Sequence, residues 1–169
     1  MFFLEDLPDQ RTLQAFAKRF PEMRIDSTAA CLRLLRVASH LFRHLEEHFA
    51  THQLSLARFL VLIVLERTTR KQLMPVEIAR QLGISKKNTS RLLAYMETDK
   101  LVSRTSHQTD GRASVISIEP KGANLLNSAL PGYYGIFNRT MKQLDARKKN
   151  TLIQILDKVA TQSQDEDGA

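Results

Sequence analysis

Residues 77–118 read EIARQLGISKKNTSRLLAYMETDKLVSRTSHQTDGRASVISI, and their pattern decides the fold. Ile78, Ala79 and Leu82 recur at the spacing of the inner stripe of a short helix. Pro75 suits the first turn of that helix, where its missing N–H costs nothing. Gly83 can take the left-handed conformation that ends it, and Ser85 reads as the N-cap of a second helix. At about 100° per residue, Thr89, Leu93 and Met96 fall on one side of the second helix, with Leu92 at the edge. Lys87, Ser90, Arg91 and Ala94 fall opposite, and Lys86 and Asn88 flank them near the start. Exposed lysines and arginines are common, so by itself this face reads equally well as ordinary solvated surface. The residues downstream tip the balance. Residues 101–105 and Ser114–Ile118 are short β-prone runs, and the polar stretch between them carries Asp110-Gly111-Arg112.

Helix, turn, helix and two strands joined by a loop is the order of parts in a winged helix-turn-helix. That unit places its second helix in the DNA major groove and a strand hairpin beside it. The outer face of the second helix suits such a groove. Its cations match phosphates and guanine edges, its amide matches adenine, and it has little bulk to block entry. Ser85, Lys86, Lys87, Asn88, Ser90 and Arg91 are therefore the expected DNA contacts. Arg112, at the loop tip, is placed for the narrow minor groove, with Asp110 holding it. Charge points the same way. The chain carries a net charge of +7. Residues 1–66 sum to zero, whereas residues 67–112 hold ten basic and four acidic side chains. The excess sits on the proposed DNA-binding unit, as a polyanion partner requires. A membrane surface is the weaker reading, because no free basic amphipathic helix and no lipidation motif accompany the patch.

Other classes are bounded by what is missing. The longest apolar run, residues 59–65, is far too short to span a bilayer. The start, MFFLEDLPDQ, lacks the basic and long apolar regions of a signal peptide. A single cysteine, Cys31, permits no internal disulfide and fits a reducing cytoplasm. The sequence has no Gly-rich phosphate loop, GxSxG, HExxH or CxxC, so neither an enzyme nor a cofactor or metal site is expected.

The flanks read as helices over residues 10–20, 28–51 and 56–67, then 120–130, 133–144 and 146–162, with a kink or break at Pro131-Gly132. The expected architecture is mainly α, with a small β-hairpin wing. A winged helix-turn-helix over residues 54–118 is framed by helices 1–53 and 119–169. One such unit reads one half-site, so the terminal helices are assigned to a homodimer interface that spaces two recognition helices about 34–36 Å apart.

Residues 54 to 126 also resemble the MarR family of winged-helix bacterial transcription regulators. The resemblance is carried by Glu77-Ile78-Ala79, Leu82-Gly83-Ile84-Ser85, Ser90-Arg91, Met96-Glu97, Leu101-Val102, Asp110-Gly111-Arg112 and Lys121-Gly122. It implies that the wing arginine, here Arg112, enters the minor groove. Two positions depart from the family: Thr89 stands where an apolar residue is usual, and Lys100 where a helix-ending glycine is usual. The resemblance also implies a site for small aromatic acids, which by position involves Leu35, Ser39 and Phe59. His40, His44, His48 and His52 lie four apart, a spacing that can pair on zinc but reads more simply as a solvated polar ridge. The family's metal sensors use a histidine-rich helix after the wing, and residues 133–144 hold none. Cys31 matches the reactive cysteine of the peroxide-sensing branch. The positions of that branch's two tyrosines hold Leu35 and Leu45, so a buried, inert thiol is expected. The combined expectation is a cytoplasmic, homodimeric repressor on a palindromic double-stranded operator, released by a small aromatic or phenolic ligand. Peroxide sensing through Cys31, and a less sequence-specific architectural DNA-binding protein, stand as the alternatives.

Overall fold

A computed structural model describes residues 5–106 and 114–166, with side chains through residue 160 except at 106. It divides into two compact units, Met1–Tyr133 and Tyr134–Ala169. The first opens with α1 (Gln10–Arg19) and the long α2 (Ile25–Thr51), followed by α3 (Leu56–Glu66) and a two-residue strand β1 (Gln72–Leu73). Next come α4 (Pro75–Leu82), α5 (Lys86–Thr98), β2 (Val102–Ser106) and β3 (Ser114–Ile118). Helix α6 (Pro120–Thr140) crosses the division, and α7 (Ala146–Glu166) lies in the second unit.

Local chemistry explains the helix starts. The Asp9 carboxylate accepts from the Thr12 N–H at 2.8 Å, which caps α1 and lowers the Asp9 pKa. That capping contribution is therefore present above the ordinary aspartate range and is lost as pH falls through the lowered value. Ser55 caps α3 in the same way, accepting from Arg58 N at 3.3 Å. At α4 the Glu77 side chain reaches back to the Met74 N–H at 2.7 Å, and Pro75 sits in the first turn.

The core of the first unit lies where α3, α4 and α5 meet the sheet. Leu62, Leu65, Ile78, Leu93, Met96 and Ile116 are fully buried there. The sheet order is β1-β3-β2, antiparallel throughout, with Leu73 opposite Ile116 and Val102 opposite Ile118. Phe49, Phe59 and Tyr133 form an aromatic cluster joining α2, α3 and α6, with ring centroids 4.3 Å apart for Phe49–Phe59 and 4.8 Å for Phe59–Tyr133.

Two expectations about helices need correction. Helix α2 starts at Ile25, three residues earlier than the periodicity suggests. The expected interruption at Pro131 does not appear as a helix end, because α6 continues through it to Thr140. A contact from α2 lies at that turn. The His48 Nε2–H donates to the Ala129 carbonyl at 2.8 Å, two residues before the proline. Gly132 makes room for the imidazole, since a Cβ there would lie 2.2 Å from His48 Cε1.

Backbone approach is tightest at Gly122, where a Cβ would stand 2.2 Å from the Leu101 carbonyl oxygen. Earlier in the chain, Lys100 holds φ +57° in the left-handed region without being glycine. Single substitutions at these two sites should move stability in opposite directions. Gly122→Ala should lower it by roughly 1–3 kcal/mol, because backbone must shift. Lys100→Gly should raise it by up to about 1 kcal/mol. Urea unfolding of both variants checks the pair, and a neutral Gly122→Ala would contradict the close approach.

Candidate nucleic-acid interface

Helix α5 is fixed at its start by the turn before it. Gly83 ends α4 at φ +65°, and Ile84 N–H returns to the Ala79 carbonyl at 3.1 Å. Ser85 Oγ then accepts from Asn88 N at 3.3 Å, so its expected part in DNA binding is joined by a capping role. Thr89 is only 1% exposed, and its hydroxyl donates to the Ser85 carbonyl at 3.0 Å. This internal bond lets a hydroxyl occupy a position facing the core. With Thr89, Leu93 and Met96 turned inward, Lys86, Lys87, Asn88, Ser90, Arg91 and Ala94 all lie exposed. The face expected from the helical spacing is thus present as one continuous polar surface. Tyr95, which sequence reasoning passed over, is exposed on the same helix.

The other end of α5 is held by cations from three elements. Arg58 of α3 pairs with the Asp99 carboxylate at 2.8 Å, and Lys121 of α6 donates to the Asp99 carbonyl at 2.9 Å. Positive charge at a helix C-terminus is favourable in itself. Arg104 of β2 makes the third link. Its Nε donates to Glu97 Oε1 at 3.2 Å, its Nη2 to Glu97 Oε2 at 3.3 Å, and its Nη1 to Ser114 Oγ on β3 at 3.0 Å. One guanidinium therefore ties the recognition helix to both strands of the wing. Sequence reading missed this link, because a seven-residue separation across a helix end matches neither helical nor strand periodicity. The wing tip with Asp110 and Arg112 lies outside the described residues.

Residues 52–113 match the family described as the MarR family. That match covers the segment from just before α3 to the wing, less than half of the chain. The proteins this chain resembles are transcriptional repressors and regulators. Over 153 residues it is 25% identical to the HTH-type transcriptional repressor YetL of Bacillus subtilis, covering 90% of this chain and 92% of YetL. Solved structures that share its fold include two that bear on DNA binding. One is the MarR-family regulator Sco3205 of Streptomyces coelicolor in complex with DNA, with a TM-score of 0.76, 19% identity and coverage of 82% of this chain and 88% of that one. The other is BpsR of Bordetella bronchiseptica, whose DNA binding is regulated by 6-hydroxynicotinic acid; its TM-score is 0.68, with 18% identity and coverage of 83% and 95%.

The remaining candidates are placed less uniformly. Phe59 is enclosed in the aromatic cluster, whereas Leu35 is 46% exposed on α2. Ser39, one helical turn beyond Leu35, has a buried Oγ with no hydrogen-bond partner among the described residues. Cys31 is exposed, which corrects the expectation of a buried thiol. The apolar stripe of α2 is covered at its C-terminal end by Leu45 and Phe49 packing but stands open around Cys31, Leu34 and Leu35. The histidine row is likewise more than a solvated ridge. His40 pairs with Glu5 at 3.0 Å, and the Arg43 and His40 hydrogen bonds lower the Glu5 pKa. Four-residue steps drift around the helix, and by His48 and His52 the row has turned to meet α6 at Ala129 and Ser128.

The Arg104 fork gives a direct test. Arg104→Ala should lower stability by roughly 1–2 kcal/mol, the scale of a charge-assisted, partly buried set of bonds. Arg104→Lys should recover less than half, since one ammonium cannot span Glu97 and Ser114 together. Equal stability of the lysine variant and the parent would contradict the bridging geometry.

Proposed function

We propose that this protein is a MarR-family regulator: a cytoplasmic, homodimeric repressor that binds a palindromic operator and is released by a small aromatic or phenolic ligand. The observation that carries the reading is the outer face of α5. Lys87, Ser90 and Arg91 stand exposed on a helix whose start is capped and whose end is tied to the wing strands. A rigid helix with cations, an amide and a hydroxyl on its free side suits insertion into a major groove, and the side chains nearest its N-terminus would meet base edges. Arg112 would reach the minor groove from the wing, with Asp110 steadying it.

Two-fold assembly is supported by large apolar side chains exposed on the terminal helices. Phe16, Leu34, Val37, Ile153 and Ile155 are all left open in a single chain. Repression is supported by the likeness to YetL, and ligand release by the likeness to BpsR. Leu35, Ser39 and Phe59 are the proposed ligand contacts, and the unmet hydrogen-bonding need of Ser39 suits a polar group on such a ligand.

Arg112→Ala should weaken binding to a selected duplex by roughly 1–3 kcal/mol at fixed salt. The protein should sediment at twice 19.3 kDa, with and without this change. Unchanged affinity would refute the wing contact, and a monomer protecting a full palindrome would refute the assembly.

A further inference from the structure

Between residues 54 and 126, only Val76 and Tyr95 among the described residues are large apolar side chains left exposed. Tyr95 is 60% exposed, on a helix where Leu93 and Met96 are fully buried and Leu92 is half-buried. Its phenol has no hydrogen-bond partner among the described residues. Neither core packing nor an internal bond therefore accounts for it. Asn88, Arg91 and Tyr95 stand at i, i+3 and i+7, so they share one ridge of α5. That ridge borders the face expected to enter the groove.

We propose that Tyr95 is a DNA-contact residue that donates its phenolic hydrogen to a backbone phosphate where α5 leaves the major groove. The inference rests on the DNA-binding reading above and adds a specific contact to it. Residues at the N-terminus of a recognition helix meet base edges. Tyr95 lies nine residues after Lys86, about 13 Å further along the axis, which is close to the roughly 12 Å width of the groove. At that distance a side chain meets the sugar-phosphate wall rather than the base pairs. Tyrosine is suited to that wall, because its hydroxyl donates to phosphate oxygens. Its ring can cover deoxyribose while adding no charge. This predicts a signature that a lysine or arginine contact would not give. The phenol is neutral and displaces no counterion, so its loss weakens all duplexes alike and leaves the salt dependence of binding unchanged.

The test uses the full chain and a duplex selected by it from a random pool. Tyr95→Phe removes only the hydroxyl and should weaken binding roughly three- to tenfold. Tyr95→Ala should weaken it further, while thermal melting of both variants matches the parent, as expected of an exposed site. Methylphosphonate is then walked along the duplex. One position should weaken the parent but not Tyr95→Phe, which pairs the hydroxyl with that phosphate. Parent-like affinity of Tyr95→Phe, or equal sensitivity of both proteins at every phosphate, would overturn the proposal. So would a changed selected sequence or a salt slope reduced by about one, because these mark a base contact or a charged contact. If the parent itself selects and binds no duplex, the DNA-binding reading fails and this inference fails with it.

Discussion

Complete burial of one side of α5 is the constraint on which the remainder depends. Thr89, Leu93 and Met96 occupy the core between α3, α4 and the sheet, and their burial fixes the rotation of the helix about its own axis. A turn of even about 40°, less than half the roughly 100° step between residues, would pull one of these side chains out of the core and push a lysine or arginine towards it. Exposing a buried leucine costs roughly 1.5–3 kcal/mol, and burying an unpaired cation costs more. The outward direction of Lys87, Ser90 and Arg91 is thus set by what lies beneath them. Thr89 shows how close the fit is. A hydroxyl enters the core only because the Ser85 carbonyl, one turn back, accepts its hydrogen.

Rotation alone does not place a helix in a groove; its tilt and its distance from the wing matter as well. Those are set at the C-terminal end, where Arg58, Lys121 and Arg104 converge on Asp99 and Glu97. Each of these contacts is partly exposed, and each alone contributes modestly. Their value lies in reaching α5 from three different elements, so that movement in any direction strains at least one. The Gly122 notch allows α6 to approach the Leu101 carbonyl and brings Lys121 within reach of Asp99. A glycine on α6 thereby takes part in positioning the outer face of α5.

Much of the fold is legible in the sequence where local chemistry acts alone. Gly83 and Ser85 mark the turn between α4 and α5, and both adopt the expected geometry. Lys100 stands where a glycine is usual, and its backbone is indeed left-handed. Features that depend on a distant partner are not legible. Strand β1 is two residues long and exists through its pairing with β3, so it has no alternation to read. The continuity of α6 past Pro131 accompanies a contact between residues 81 apart in sequence, His48 and Ala129. The neighbours of Cys31 on α2 suggest burial, but periodicity gives the direction of a face and not what covers it. Among the site residues, the α5 face is readable from one helical wheel, while Arg104 and Tyr95 need the fold. Arg104 requires knowing that β2 passes beside Glu97, and Tyr95 requires knowing that the core is already full.

The central claim is that the exposed face of α5 reads base sequence. The most direct measurement is selection of binding sites from a pool of random duplexes by the parent and by a variant carrying Asn88→Ala, Ser90→Ala and Arg91→Ala. All three side chains are exposed, so the variant should fold and melt like the parent. If α5 reads bases, the parent enriches one defined motif and the variant enriches none, retaining only salt-sensitive binding common to all sequences. Enrichment of the same motif by both proteins, or of no motif by the parent, would contradict it.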